Sequence, residues 1–254
     1  MAHGWLDRRN KHPRNSRLRL AGLGMALAGA IAFGAPSARA AVYDVNADFS
    51  TASNPNGVWT YGFETTLGGP LTLYDQPNAT DCGSGAWRSL TVQSLQAPVD
   101  CSNKTNSQVG LVPAHTAAFH PGPSGEFSVF RFTTPAAGSY DLAAVFSAID
   151  NGGTDVHILD NGTSLFSHEI DPANTPESFS ATLLLVAGEL IDFAVGVGTD
   201  GNFFSDSTGI NASLTTSAVS VSVPEPSSIL LILSAAFAAL AIMRRRSPVA
   251  RRGV

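Results

Sequence analysis

The basic side chains of this 254-residue chain are concentrated at its two ends, and this segregation constrains the fold more than any other feature. Residues 1–40 contain seven basic side chains and one acidic one, and residues 224–254 contain five and one. The body between them carries 18 acidic side chains against three basic ones, a formal net charge of −15. Such a body cannot neutralise a phosphate backbone, so we exclude nucleic acid as a partner. The charged ends are expected to be targeting segments.

The first 40 residues are organised like a secretory signal peptide. A basic region ends at Arg19, an apolar run of 14 residues spans Leu20–Phe33, and the small residues Ala38 and Ala40 follow. The run is shorter than the ~20 residues that a membrane-spanning helix needs. We therefore predict a signal peptide over residues 1–40, removed by signal peptidase. An uncleaved membrane anchor is the alternative.

A second apolar run predicts a single transmembrane helix at residues 229–243. Its 15 apolar or small residues are followed directly by three arginines. Because arginines beside a span stay in the cytoplasm, residues 244–254 would form a cytoplasmic arginine-rich tail and the body would be exported. At about 1.5 Å per residue the run is marginal for a hydrocarbon core of about 30 Å. Such a span suits a temporary attachment to the membrane.

The end of the chain closely resembles the PEP-CTERM sorting signal. The resemblance rests on Pro224-Glu225-Pro226 within a linker at 218–228, on the apolar helix, and on a sorting tail that contains Arg244, Arg245 and Arg246. It implies a Gram-negative bacterium in which an integral-membrane exosortase cuts at or beside the motif. The protein would be an inner-membrane intermediate first and then reach the cell surface or the extracellular matrix. An ordinary tail anchor preceded by a proline-rich linker is the alternative.

The body, residues 41–217, is predicted to be an all-β domain. About ten short alternating runs are separated by turn sequences at spacings near ten residues. One of these turns, Asp160-Asn161-Gly162, has the sequence of a tight hairpin. More than seven strands favour an antiparallel β-sandwich of jelly-roll type over an immunoglobulin-like domain. Residues 131–166 and 187–198 also resemble the carbohydrate-binding-like β-sandwich modules of bacterial surface proteins, a resemblance that brings no catalytic motif.

The cysteines and histidines are the candidates for a disulfide, a metal site or a catalytic site. Cys82 and Cys101 are the two cysteines, and in an exported chain an even pair is most simply a disulfide. A metal site is the alternative, although no histidine is nearby. No recognised metal spacing or Gly-x-Ser-x-Gly elbow occurs among the four histidines and many serines of the body. We therefore predict that the protein is not an enzyme. The four histidines are His115, His120, His157 and His168.

Acidic turn residues predict a candidate calcium site, and calcium is the one cofactor that the sequence suggests. Asp150 and Asp155 flank a glycine-rich turn, while Asp200, Asn202 and Asp206 lie in one loop. Calcium takes about six to eight oxygen ligands and commonly finds them in such loops. The alternative is that these side chains are solvated turn residues, because Asp and Asn favour turns for local reasons.

Aromatic side chains are the candidate carbohydrate contacts. Sugars present apolar C–H faces that stack on exposed rings. The candidates are Trp59, Tyr61, Trp87 and Phe203, and the alternative for each is a place in the core. We predict a surface or matrix protein with a binding module for carbohydrate, such as the cell's own exopolysaccharide. A self-assembling structural component and, as a weaker alternative, a secreted hydrolase remain open.

Overall fold

The computed structural model describes residues 40–92, 94, 96–217, 233 and 237. The predicted signal peptide apart from Ala40, the Pro-Glu-Pro linker, most of the C-terminal helix and the arginine-rich tail lie outside the described residues. Leu233 and Phe237 are helical and exposed. Among the described residues, no helix is both long and apolar enough to cross a membrane.

Strands are the main secondary structure of residues 40–217. In chain order they are β1 (Val42–Asp44), β2 (Trp59–Glu64), β3 (Thr72–Leu73), β4 (Gln76–Asn78), β5 (Ala86–Arg88), β6 (Val99–Asn103), β7 (Thr116–His120), β8 (Phe127–Thr133), β9 (Gly138–Ala148), β10 (Thr154–Asp160), β11 (Thr163–Ile170), β12 (Glu177–Leu185), β13 (Leu190–Gly196) and β14 (Thr208–Thr216). A 3-10 turn at Asp81–Gly83 precedes β5.

The strands form two sheets, and all the pairings are antiparallel. The larger sheet has the order β12–β9–β14–β7–β6–β5–β4, with β1 pairing to the far half of β14. The smaller sheet has the order β11–β10–β13–β8–β2–β3. These strands lie in one compact unit. The predicted all-β, antiparallel sandwich of jelly-roll type is therefore confirmed.

Aromatic side chains fill the space between the two sheets. Alternation along each strand sends every second side chain inward, and the inward positions of β2, β7 and β8 are rich in rings. Phe130 lies 5.8 Å from Tyr61 in its own sheet and 5.4 Å from Phe119 in the facing sheet, between ring centroids. Such aromatic pairs stabilise the fold by about 0.5–1.5 kcal/mol each beyond their buried area.

The structure contains four strands that the alternating pattern does not reveal, namely β1, β4, β6 and β7. They are short, and they lack an alternating apolar signal. β4 contains Pro77, which is tolerated because this strand ends the sheet. β6 carries buried polar side chains at Asp100 and Asn103. The run Trp87–Val92 ends early as a strand because the Ser89 hydroxyl accepts the N–H groups of Thr91 and Val92 and forms a turn.

A buried ion-pair network lies on the outward face of the smaller sheet. Arg131 donates from Nε and Nη2 to the two carboxylate oxygens of Asp192, at 2.6 and 2.8 Å, and from Nη2 to Oε1 of Glu64 at 2.9 Å. Burial and the charge of Asp192 raise the pKa of Glu64 to about 7, against the smaller opposing effects of the Gly68 N–H and Arg131. Glu64 therefore gains a proton more readily in the folded state than in the unfolded chain.

This proton uptake predicts a pH-dependent stability. Because the pKa of Glu64 is raised on folding, its stabilising effect is complete below about pH 4.5 and is lost as the pH rises through about 7. We expect the thermal midpoint to fall between pH 5 and pH 7.5, and the Glu64→Gln variant to show a shallower fall. Glu169→Gln, at an exposed position, is the control. Parallel curves for Glu64→Gln and the unmodified protein would contradict the assignment.

Candidate functional site

Three of the four predicted carbohydrate-contact residues lie in the core, which corrects that prediction. Trp59, Tyr61 and Trp87 are 1%, 0% and 5% exposed. The reason is strand alternation, which points all three inward, and Trp87 is fixed there by a 2.8 Å hydrogen bond from Nε1 to the Ser50 carbonyl. Buried rings cannot stack on a sugar.

Phe203 is the exception among these rings. It is partly exposed and packs edge-on against His120, with 6.2 Å between ring centroids. The ring centroid of its neighbour Phe204 lies 4.5 Å from that of Phe203, and Phe204 is exposed. Phe203 thus borders a region that the aromatic pattern alone does not identify.

That region is a cleft on the outward face of the larger sheet, over β5, β6 and β7. The cleft has a volume of about 300 Å³. Small side chains form its floor, where Ala118 and the disulfide-bonded Cys101 lie opposite each other in the register of β6 and β7 and leave space above the sheet. Apolar side chains form much of the wall. They are Ala97, Val99, Val109, Leu111, Val112 and Ile149.

The loop that forms one wall of the cleft is held by a buried asparagine. Asn103, at the end of β6, donates from Nδ2 to the carbonyl oxygens of Ser107, Val112 and Pro113 at 2.9 to 3.0 Å. The backbones of Val109 and Val112 also bond to each other. The wall is therefore formed before any ligand arrives.

Arg88, Asp81 and Gln96 provide the polar groups at one side of the cleft. The Arg88 guanidinium contacts the Asp81 carboxylate and donates to the Gln96 carbonyl at 3.1 Å and to Gln96 Oε1 at 3.3 Å. A guanidinium has about five N–H groups, so these three contacts with described residues leave about two for a ligand. Because Asp81 balances the charge, this side of the cleft is polar and close to neutral.

His120 supplies a hydrogen-bond acceptor on the other side. Its Nδ1 lies 2.8 Å from the Pro121 carbonyl, which can only accept, so Nδ1 carries the proton. Burial lowers the pKa of His120, and the Pro121 hydrogen bond and the charge of Asp150 only partly offset this. The ring is therefore neutral at pH 7, and Nε2 presents a lone pair that no described residue uses.

The predicted disulfide is confirmed, and it forms part of the cleft. Cys82 and Cys101 are bonded across a sequence separation of 19 residues and both line the cavity. The bond ties the 3-10 turn to β6, next to Asp81.

The predicted calcium residues meet only in part. Asp155 accepts from His157 at 2.8 Å and from the Gly198 N–H at 2.9 Å, and these bonds outweigh burial and lower its pKa. The carboxyl of Asp200 and the amide oxygen of Asn202 each accept a backbone N–H two residues ahead, as solvated turn residues do. Asp206 is fully buried, and neither of its carboxylate oxygens has a hydrogen-bond partner among the described residues. No group of three metal-ligating side chains is already assembled among the residues that the structure describes.

Sequence reasoning missed Arg88, Gln96 and His120 as cleft residues. Arg88 is one of three basic side chains of the body, which is a signal that could have drawn attention to it. Nothing local in the sequence indicates that Gln96 and His120 lie at the same cavity, since β5, β6 and β7 come together only through the sheet.

Comparison with known proteins locates the sorting signal. The PEP-CTERM protein-sorting motif matches residues 222–246. The chain carries a PEP-CTERM sorting motif. This range includes Pro224-Glu225-Pro226 and Arg244–Arg246, and it implies an exported protein of the Gram-negative cell surface. No curated protein matches the chain.

Solved structures similar to this chain include β-sandwich modules. A CBM51 module with INT domains from Clostridium perfringens ZmpB, in complex with GlcNAc, has a TM-score of 0.32 at 10% identity, over 41% of this chain and 22% of that one. CBM51 from Clostridium perfringens GH95, in complex with methyl-galactose, has a TM-score of 0.32 at 8% identity, over 56% and 94%. A family 35 carbohydrate binding module from Clostridium thermocellum has a TM-score of 0.29 at 16% identity, over 43% and 83%.

Removal of the disulfide should destabilise the sandwich. On the chain-entropy model, a loop of this length contributes about 3 kcal/mol to the free energy of unfolding. We expect the double variant Cys82→Ser, Cys101→Ser to lose about this much in urea denaturation under oxidising conditions. The unmodified protein with added reductant should behave in the same way. Equal unfolding midpoints for the variant and the oxidised protein would contradict this role.

Proposed function

We propose that this protein is a non-catalytic carbohydrate-binding component of the cell surface or extracellular matrix, with one sandwich domain at residues 41–217. The cleft over β5, β6 and β7 carries the proposal. Its volume is at the lower end of the ~300–1,000 Å³ typical of small-molecule sites, so we expect it to hold one sugar unit. A signal peptide, its removal by signal peptidase and a membrane-bound intermediate are parts of the same proposal.

The chemistry of the cleft matches that of a sugar. A sugar ring combines apolar C–H faces with hydroxyl groups that both donate and accept hydrogen bonds. The apolar wall can cover the C–H face, the free N–H groups of Arg88 can donate to a hydroxyl oxygen, and His120 Nε2 can accept a hydroxyl proton. Phe203 adds a partly exposed ring beside His120.

The charge around the cleft favours a neutral sugar. Arg88 is already paired with Asp81, and the body of the protein carries 18 acidic side chains against three basic ones. This field repels anionic polymers. We therefore infer a neutral polysaccharide, such as an exopolysaccharide of the cell itself, as the partner.

The number of carboxyl groups that line the cleft favours binding over catalysis. Glycoside hydrolases use two carboxyl groups about 5 to 10 Å apart. Asp81 is the one carboxylic acid among the described residues that line this cleft, and it is held by Arg88.

A glycan array with the full chain in mild detergent tests the proposal. We expect signals on neutral glycans, and we expect His120→Phe to weaken binding about tenfold because a hydrogen bond contributes about 0.5–1.5 kcal/mol. His115→Phe is the matched control, because His115 is exposed and bonds to Asn106. An array without signal, or equal binding by His120→Phe and His115→Phe, would contradict the proposal.

The sorting motif makes a separate prediction in the native host. Replacement of Pro224, Glu225 and Pro226 by alanine should leave an uncleaved, membrane-retained form, detectable by fractionation and immunoblotting. Pro248→Ala, outside the matched residues 222–246, should be processed normally. Release of the triple variant at the normal rate would overturn exosortase processing.

Self-assembly is a second candidate function, favoured by one specific observation. β12 ends the larger sheet, and Leu184 on this strand is 85% exposed, with Val186 beyond it 62% exposed. A strand at the edge of a sheet has backbone groups without a strand partner on one side, so an edge strand with exposed apolar side chains is a template for pairing with another chain. If assembly is the function, light scattering will show oligomers that Leu184→Lys disrupts.

A further inference from the structure

Asp206 is the most anomalous polar side chain of the described residues. It is 0% exposed, and both of its carboxylate oxygens lack a hydrogen-bond partner. An unpaired buried carboxylate is costly, because it gives up its hydration for no compensating contact. Such a group requires either a proton or a cation to be stable at neutral pH.

The surroundings of Asp206 are acidic. Burial and, in decreasing order, the charges of Asp200, Asp150 and Asp155 together raise its pKa to about 7. Asp155 is already bonded to His157 and Gly198. Asp150 and Asp200 use one carboxylate oxygen each for a backbone N–H of their own turns and keep the other oxygen. Each of these two turns therefore has one carboxylate oxygen that makes no hydrogen bond with a described residue.

The two turns are tied together at Asp206 by a close backbone approach. The N–H of Gly152 donates to the Ser205 carbonyl at 2.8 Å. A Cβ atom at position 152 would lie 2.2 Å from Asp206 Oδ1, so only glycine fits. This contact places the 150–153 turn directly against the orphaned carboxylate.

We propose that Asp206, Asp150 and Asp200 bind a divalent cation of the calcium type. All three donors are hard carboxylate oxygens, and backbone carbonyls and water can complete the ~six to eight oxygens that calcium takes. Asp155 and Asn202 are excluded as ligands because hydrogen bonds occupy them. Since the three acids are not already assembled, the exposed turn at Asp200 closes toward Asp206 when the cation binds. Cation binding by these acids does not require sugar binding in the cleft.

Calorimetry and thermal unfolding of the full chain in detergent test this site. After chelator treatment, we expect heat on titration with calcium chloride and a midpoint raised by on the order of 5 °C at a hundredfold excess over Kd. Asp206→Asn should lose both responses, and its midpoint in chelator at pH 7.5 should exceed that of the unmodified protein because an unpaired buried charge is gone.

Two further variants keep the test decisive. Asp200→Asn changes an exposed side chain, so it should fold and lose at least tenfold in calcium affinity even if Asp206→Asn does not fold. Asp141→Asn removes an equal charge on the exposed face of β9, where Asp141 bonds to Thr182, and should respond as the unmodified protein does. Absence of heat and of a midpoint shift in the unmodified protein, an undiminished response in Asp200→Asn, or an equal shift with sodium chloride at matched ionic strength would each overturn the proposal.

Discussion

The aromatic contact between the two sheets fixes which side chains of the larger sheet face outward. Phe119 of β7 packs against Phe130 of β8 across the interior. Because side chains alternate along a strand, an inward Phe119 turns its neighbours Ala118 and His120 outward. An inward Trp87 does the same for Arg88. The burial of Phe119 and Trp87 in the core therefore determines that His120 and Arg88, the next residues along their strands, face the cleft.

The fold class followed from the sequence because alternation and turn chemistry are local signals. The Asn161-Gly162 hairpin between β10 and β11 has positive φ at both residues, as its sequence requires. β6 and β7 could not be found in this way. β6 places buried Asp100 in the interior, where Oδ1 accepts from the Ser128 hydroxyl at 2.8 Å. Ser128 lies on β8 in the other sheet, so no local sequence pattern predicts that Asp100 is buried.

The candidate site was less predictable than the fold. The disulfide could be predicted because the chain has two cysteines and was expected to be exported. The acidic residues could be recognised in the sequence, but their hydrogen bonding could not. Asp155 is hydrogen-bonded and Asp206 is not, because different groups of the folded chain lie next to each of them. The exposure of aromatic residues was predicted wrongly for Trp59, Tyr61 and Trp87, because composition does not show which face of a strand turns inward. The cleft depends on non-local pairing of β5, β6 and β7.

We infer that the cleft beside the disulfide is the binding surface of this exported protein. Hydrogen–deuterium exchange of the full chain, with and without a panel of neutral oligosaccharides, tests it most directly. We expect slower exchange confined to peptides that cover residues 96–101, 109–112 and 118–120. Unchanged exchange throughout, or protection confined to the exposed face of β9 and β12, would contradict it.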